Sequence, residues 1–227
     1  MGAMVLRDRM VRDMTFEEMK TVLGPKVEGS RHLDRLLGDY PLDFFVYFSS
    51  MMQVVGNLGL SNYATANASF SGFATQRRKR GLAASVVDIG AVTGAGVFER
   101  ESGDSADKGL VLAGLRRVSE VDVCQVLAEA INSGHGQLVP GEDPAVGVGM
   151  QFVSPGDSSL PRWYGNPKFA AFILRDEDED VDRGSANKNA VSVQERLLQA
   201  QGKAQVFEAI RGKLTVVSGR IVNKGKS

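Results

Sequence analysis

The residues best suited to chemistry lie in one stretch, FSSMMQVVGNLGLSNYATAN (48–67). A serine pair, Ser49-Ser50, closes an apolar run; Tyr63 follows thirteen residues after Ser50, and Asn67 stands four residues beyond Tyr63. On a helix, positions i and i+4 share a face, so Tyr63 and Asn67 point the same way. A hydroxyl at a strand's C-terminal end and a phenol at the start of the next helix can converge on a carbonyl. The serine donates a hydrogen bond to the carbonyl oxygen, and the phenol delivers a proton to the alkoxide that develops. A free tyrosine has a pKa of about 10, so work near neutral pH requires a nearby cation. Lys26 is a candidate for that cation. The same spacing also fits a plainer arrangement: Tyr63 packs its ring and bonds a backbone group, and Ser49 and Ser50 shape a turn.

The surrounding elements must position these groups. LDFFVYF (42–48) is a continuous apolar run of strand length, as expected of a strand buried on both faces in a parallel sheet. A glycine-bearing loop leads to a long helix over about 62–80, with Ala64, Asn67, Phe70 and Ala74 along one side and Gly81 at its C-terminal cap. The basic cluster Arg77-Arg78-Lys79-Arg80 reads as a solvated helix end favoured by the macrodipole. ASVVDI (84–89) is a second buried strand, completing a βαβ unit with a right-handed crossover. Upstream, Thr15 and Glu18 have capping-box spacing and open a helix over about 15–23 that Gly24-Pro25 ends; a second helical segment covers about 26–37. Downstream, 90–109 reads as a loop after a strand's C-terminal end, where α/β proteins place ligands. A helix over about 119–132 and a short strand at AVGVGM (145–150) follow. Trp163-Tyr164 reads as a packing or docking pair, RDEDEDVDRGSANKNA (175–190) has linker composition, and a last helix covers about 192–217.

Composition narrows the function classes. The 227 residues carry 27 Lys+Arg against 27 Asp+Glu, which argues against a nucleic-acid binder. One cysteine, Cys124, excludes an intrachain disulfide and a cysteine-built zinc site; two histidines, His32 and His135, sit apart from any second ligand at metal spacing, so no metal is expected. No apolar run approaches the roughly 18 residues of a membrane span, and MGAMVLRDRM lacks a signal peptide's apolar core. The expected setting is reducing and cytoplasmic, away from membranes.

DFFVYFSS, VVGNLGLSNYATANASF and the RRKRGL turn before ASVVDIGAV resemble the ketoreductase domain of polyketide synthases, a branch of the short-chain dehydrogenase/reductase superfamily, and within it the large fungal reducing type. Most of that superfamily places Lys four residues after the Tyr; polyketide ketoreductases carry Asn there and take the Lys from an earlier helix. This sequence has the exchanged arrangement, Tyr63 with Asn67, and Lys26 in GPKVEGS; AMVLRD (3–8) and MTFEEMKTVL (14–23) resemble the stretch before it. The resemblance implies Tyr63 as proton donor, Ser50 as holder of the substrate carbonyl, Lys26 as the charge beside the phenol and the cofactor ribose, and Asn67 as the group orienting the network. It also implies Gly90 and Ala91 near the nicotinamide of NADPH, and 90–103 as a substrate lid. The implied reaction is reduction of a carrier-bound β-ketoacyl thioester to a β-hydroxyacyl thioester.

No G-x-G-x-x-G occurs in these residues, and there is no Walker-type phosphate loop. By resemblance, the chain is the C-terminal part of a ketoreductase: an α/β fold with an incomplete Rossmann-like parallel sheet and a helical tail. Residues 1–152 would be the ketoreductase part, 153–174 a post-reductase segment, 175–191 an acidic linker, and 192–227 a helix resembling the start of an acyl-carrier region. A catalytic half without most of its cofactor site is expected to turn over poorly alone. The alternative is a non-catalytic module or remnant docking on a synthase or carrier domain.

Overall fold

The computed structural model describes residues 2–38, 40–93 and 104–174. The expected linker, the tail helix and positions 94–103 of the expected lid lie outside the described residues. The chain divides into two compact units, one of Met1–Gln151 with Ser159–Trp163, the other of Phe152–Ser158 with Tyr164–Ser227.

The larger unit is built on a three-stranded parallel sheet in the order β1 (Val46–Ser50), β2 (Ser85–Ile89), β5 (Ala145–Val148). Val46 pairs with Ser85 and Ser50 with Ile89; Val86 pairs with Ala145 and Ile89 with Val148. Alternate residues point to opposite faces, and both faces are covered. Phe45, Tyr47, Ala84 and Val86 pack with Phe70 and Ala74 of α4 (Ser61–Lys79). Val46, Val87 and Val148 pack on the other side with Val126 and Ala130 of α6 (Glu120–Ser133), which Ser119 caps in a capping box with Asp122. The α/β class and parallel sheet agree with the sequence. The strand begins at 46 instead of 42 because the ladder starts only where its partner does, at Ser85.

Three local expectations need correction. First, Gly24-Pro25 does not end the helix. α1 (Phe16–Leu23), opened by the Thr15/Glu18 capping box, runs into a π turn (Gly24–Glu28) and on into α2 (Gly29–Leu37). Pro25 has no N–H and crowds the preceding carbonyls; a wider turn, in which Gly29 N–H reaches Gly24 O, absorbs the disruption without breaking the rod. Second, two helices occupy segments read as loop: α3 (Met51–Val55) directly after β1, and α5 (Asp104–Ala113). Met51 and Leu110 bury together with Leu115, and that packing repays the ordering of helices too short or too mixed to show a period.

Third, half of the basic cluster closing α4 is not solvated: Lys79 and Arg80 are exposed as expected, but Arg77 and Arg78 are not. Arg77 is 1% exposed and Arg78 is buried as well. Arg77 donates to Asp34 and to Ala83 O and lies 4.3 Å from the Phe45 ring centroid; Arg80 reaches the same Asp34 at 2.5 Å. Arg78 donates to Gly136 O at 2.9 Å and to His135 O at 2.5 Å. These partners come from three separate segments, so nothing in the local sequence announces them.

A two-stranded parallel pair, β3 (Ala91–Val92) with β4 (Arg117–Val118), sits past the end of β2. Trp163 packs: its Nε1 donates to Ala113 O at 2.8 Å, and its ring lies so close to Gly114 that a Cβ there would come within 2.3 Å of it. In the smaller unit, Val153 bridges Ile173, and a 3-10 turn (Pro167–Phe172) buries Phe169.

Candidate active site

The C-terminal ends of β1 and β2 carry the groups singled out in the sequence. Ser50 is the last residue of β1, and its Oγ accepts Met52 N–H at 3.2 Å, capping α3. The lone pair used there leaves the Ser50 O–H free to donate to another oxygen. Gly90 follows Ile89, the register partner of Ser50, and its N–H donates to Val148 O at 3.0 Å. A Cβ at Gly90 would meet that same oxygen at 3.0 Å and Val118 Cγ2 at 3.1 Å, so the strand ends close together only because this residue lacks one. Ala91 continues into β3.

Lys26 enters from the π turn. It is 3% exposed, donates from Nζ to Phe48 O at 3.0 Å, and lies 4.7 Å from the Phe70 ring centroid and 5.9 Å from that of Tyr63. Phe48 precedes Ser50 by two residues on β1, so the ammonium is anchored about 7 Å along the strand from the serine. Burial holds the Lys26 amine at about 8, well below an ordinary lysine, with no acidic neighbour offsetting the loss of solvent.

Tyr63 and Asn67 occupy the first turns of α4, one turn apart, as their spacing requires. Asn67 is 1% exposed; its Nδ2 donates to Tyr63 O at 2.8 Å, while its Oδ1 is buried with no partner among the described residues. Ser49 Oγ and Ser30 Oγ are buried and unpartnered in the same sense. Lys26 is thus anchored on β1 with the Tyr63 ring nearby, and Asn67 stands one helical turn from Tyr63; Ser50, Gly90 and Ala91 lie along the C-terminal rim of the sheet.

Two polar residues near this rim were not legible beforehand. Gln53 on α3 donates to buried Asp88 of β2 at 2.9 Å. Asn62, fully buried, bonds Arg7 O and Tyr63 N–H. Its sequence signal is faint: an amide in the first turn of a helix whose capping position, Leu60, supplies no side-chain acceptor.

An ammonium about 6 Å from a phenol ring centroid and a serine hydroxyl on the strand that anchors it are the donor types that polarise and protonate a carbonyl. Among the described residues no cluster of His, Cys, Asp or Glu could hold a metal ion, and no helix is long and apolar enough to cross a membrane.

Residues 1–94 match the family described as the KR domain. The chain is 41% identical over 217 residues to the highly reducing polyketide synthase calA of Penicillium decumbens, covering 95% of this chain and 7% of that protein. It is also 41% identical over 217 residues to the polyketide synthase-nonribosomal peptide synthetase phmA of Phaeosphaeria nodorum, covering 95% of this chain and 5% of that one. The chain therefore spans a small fraction of the length of the curated relatives it matches. Among solved structures it resembles a ketoreductase domain from the bacillaene assembly line (TM-score 0.56, 28% identity, 65% of this chain and 34% of that one). It also resembles the first ketoreductase of the tylosin polyketide synthase (TM-score 0.54, 32% identity, 65% and 30%). The described α/β fold with its parallel sheet is thus similar to part of the Rossmann-like fold of these ketoreductases.

Proposed function

We propose, from the KR-domain match over residues 1–94 and the approach of Lys26, anchored on β1, to Tyr63, that this chain carries the proton-donating side of a polyketide ketoreductase. The reaction is reduction of a carrier-bound β-ketoacyl thioester to the β-hydroxyacyl thioester. Ser50 donates its O–H to the ketone oxygen. Tyr63 gives that oxygen its proton as negative charge develops there. Lys26, charged below about pH 8, stabilises the phenolate left behind. Asn67 holds the first turn of α4 through Tyr63 O and keeps an acceptor, Oδ1, turned into the buried network.

The residues fit one end of NADPH. A buried ammonium and an orphaned amide oxygen suit the hydroxyls of a ribose, and Lys26 and Tyr63 would hold that sugar with Gly90 and Ala91 beside the nicotinamide. Bound NADPH supplies the hydride to the ketone carbon. These residues contain no glycine-rich dinucleotide turn, so they hold the adenosine end poorly and turnover by the chain alone is slow. The observation that carries the reading is the Lys26–Tyr63 approach of 5.9 Å across two separate helices.

The test is reduction of a β-ketoacyl N-acetylcysteamine thioester with NADPH, followed by cofactor fluorescence. It is run with the chain alone and with the nucleotide-binding portion of a polyketide ketoreductase added as a separate polypeptide. Turnover should rise in the mixture and drop by about a hundredfold or more in Tyr63→Phe. A mixture in which Tyr63→Phe turns over as fast as the unaltered chain would rule the assignment out.

A further inference from the structure

The residue beside Tyr63 is held unusually tightly. Asn62 is 0% exposed, and its side chain works in two directions: Nδ2 donates to Arg7 O at 2.9 Å, and Oδ1 accepts Tyr63 N–H at 2.7 Å. The second bond has a clear cause. The first N–H groups of a helix lack intrahelical acceptors. Leu60 offers no side-chain oxygen, and the first backbone bond of α4 is Ala64 N–H to Leu60 O at 2.8 Å. The Tyr63 N–H is an orphan that Asn62 satisfies.

The first bond ties Tyr63's helix to residues 7–9. Those residues are fixed again at Arg9, whose N–H donates to Gly59 O and whose Nε donates to Glu18 Oε1, both at 2.8 Å. Glu18 closes the capping box at the start of α1, and α1 runs through the π turn to Lys26. One short strap thus joins the start of the helix bearing Tyr63 to the start of the helical rod bearing Lys26.

We propose that Asn62 is a positioning residue: by joining the Tyr63 N–H to the strap at Arg7, it aims the phenol and sets its separation from Lys26. The catalytic meaning of this inference rests on Tyr63 being the proton donor, whereas the mechanical coupling does not. Asn62 acts through its neighbour and is not expected to touch substrate. Asn62→Ala loses both the acceptor for the Tyr63 N–H and the donor to Arg7 O.

The chain, labelled with carbon-13 at tyrosine Cζ and lysine Cε, reports both partners, with assignments from Tyr63→Phe and Lys26→Met. Asn62→Ala should displace the Tyr63 signal and move the titration midpoint of Lys26. The signals of Tyr40, Tyr47 and Tyr164 should stay in place. In the unaltered chain the Tyr63 amide should exchange with solvent at least about tenfold more slowly than that of Ser61 in the same turn. In the complemented reductase assay, Asn62→Ala should lower kcat about tenfold with KM within about twofold. A folded Asn62→Ala chain with unmoved Tyr63 and Lys26 signals overturns the proposal. So does a Tyr63 amide that exchanges as fast as that of Ser61, a measurement needing no variant. If instead Tyr63→Phe fails to slow reduction while the Asn62 shifts are present, the function is wrong and the coupling stands.

Discussion

Helix α4 carries buried polar groups at both ends and treats them differently. At its C-terminal end Arg77 and Arg78 are buried, yet each reaches oxygens: Asp34 and Ala83 O for the first, Gly136 O and His135 O for the second. Beside its N-terminal end Lys26 is equally buried, but among the described residues its charge meets a single carbonyl and two aromatic rings, and Asn67 Oδ1 has no partner. Arg77, with a carboxylate partner, and Arg78, with two carbonyls from a distant segment, tie the chain together; a buried ammonium with less compensation lowers stability and stays available for chemistry. The two ends of one helix thus divide between holding the fold and carrying the groups to which we assign the proposed reaction.

The comparison breaks most readily at the paired end. Arg77→Ala leaves Asp34 with only the half-exposed Arg80 and removes a side chain packed on Phe45, so we expect a loss of about 3 kcal/mol in urea unfolding. Such a variant that unfolds at the same urea concentration as the unaltered chain would place Arg77 outside the scaffold. At the other end the effect has the opposite sense and depends on pH. Burial lowers the folded-state value of Lys26 to about 8, so between that pH and the ordinary lysine value the unfolded chain binds the extra proton. Stability should therefore climb as pH rises through this window, by up to roughly 3 kcal/mol. Lys26→Met should flatten that slope and be more stable at pH 7; an unchanged slope would show the ammonium to be solvated. The smallest effect is expected at Asn67→Leu, which removes an orphaned oxygen at the cost of the bond to Tyr63 O. Its stability should stay within about 1 kcal/mol while the complemented reductase activity falls, whereas a large destabilisation would make Asn67 a structural residue.

This division also marks what could be read from the sequence. The parallel pair β1–β2, helix α4 between them and the Thr15/Glu18 capping box are set by local patterns, and local patterns are what a sequence displays. The i+4 step from Tyr63 to Asn67 follows from helix geometry alone. The burial of Arg77 and Arg78 was hidden because their partners lie at positions 34, 83, 135 and 136, brought in by tertiary packing. α3 was hidden because five residues hold barely more than one turn. Asn62 was hidden because its partner, Arg7 O, is a backbone atom, and any residue at that position would supply one. Pro25 misled for a different reason: it does stop a regular helix, but the chain widens by a residue and carries on.

That widening has a consequence for variation in chain length. Four-residue steps overrun a 3.6-residue turn by about 40°, so a regular helix would fan Val22, Lys26 and Ser30 progressively around its axis. The wider turn between them takes up the overrun, and all three side chains are buried. Exchanging a side chain within 24–28 other than that of Pro25 leaves this phase intact. Deleting Gly24 or Pro25 would rotate everything downstream and turn the ammonium away from the sheet.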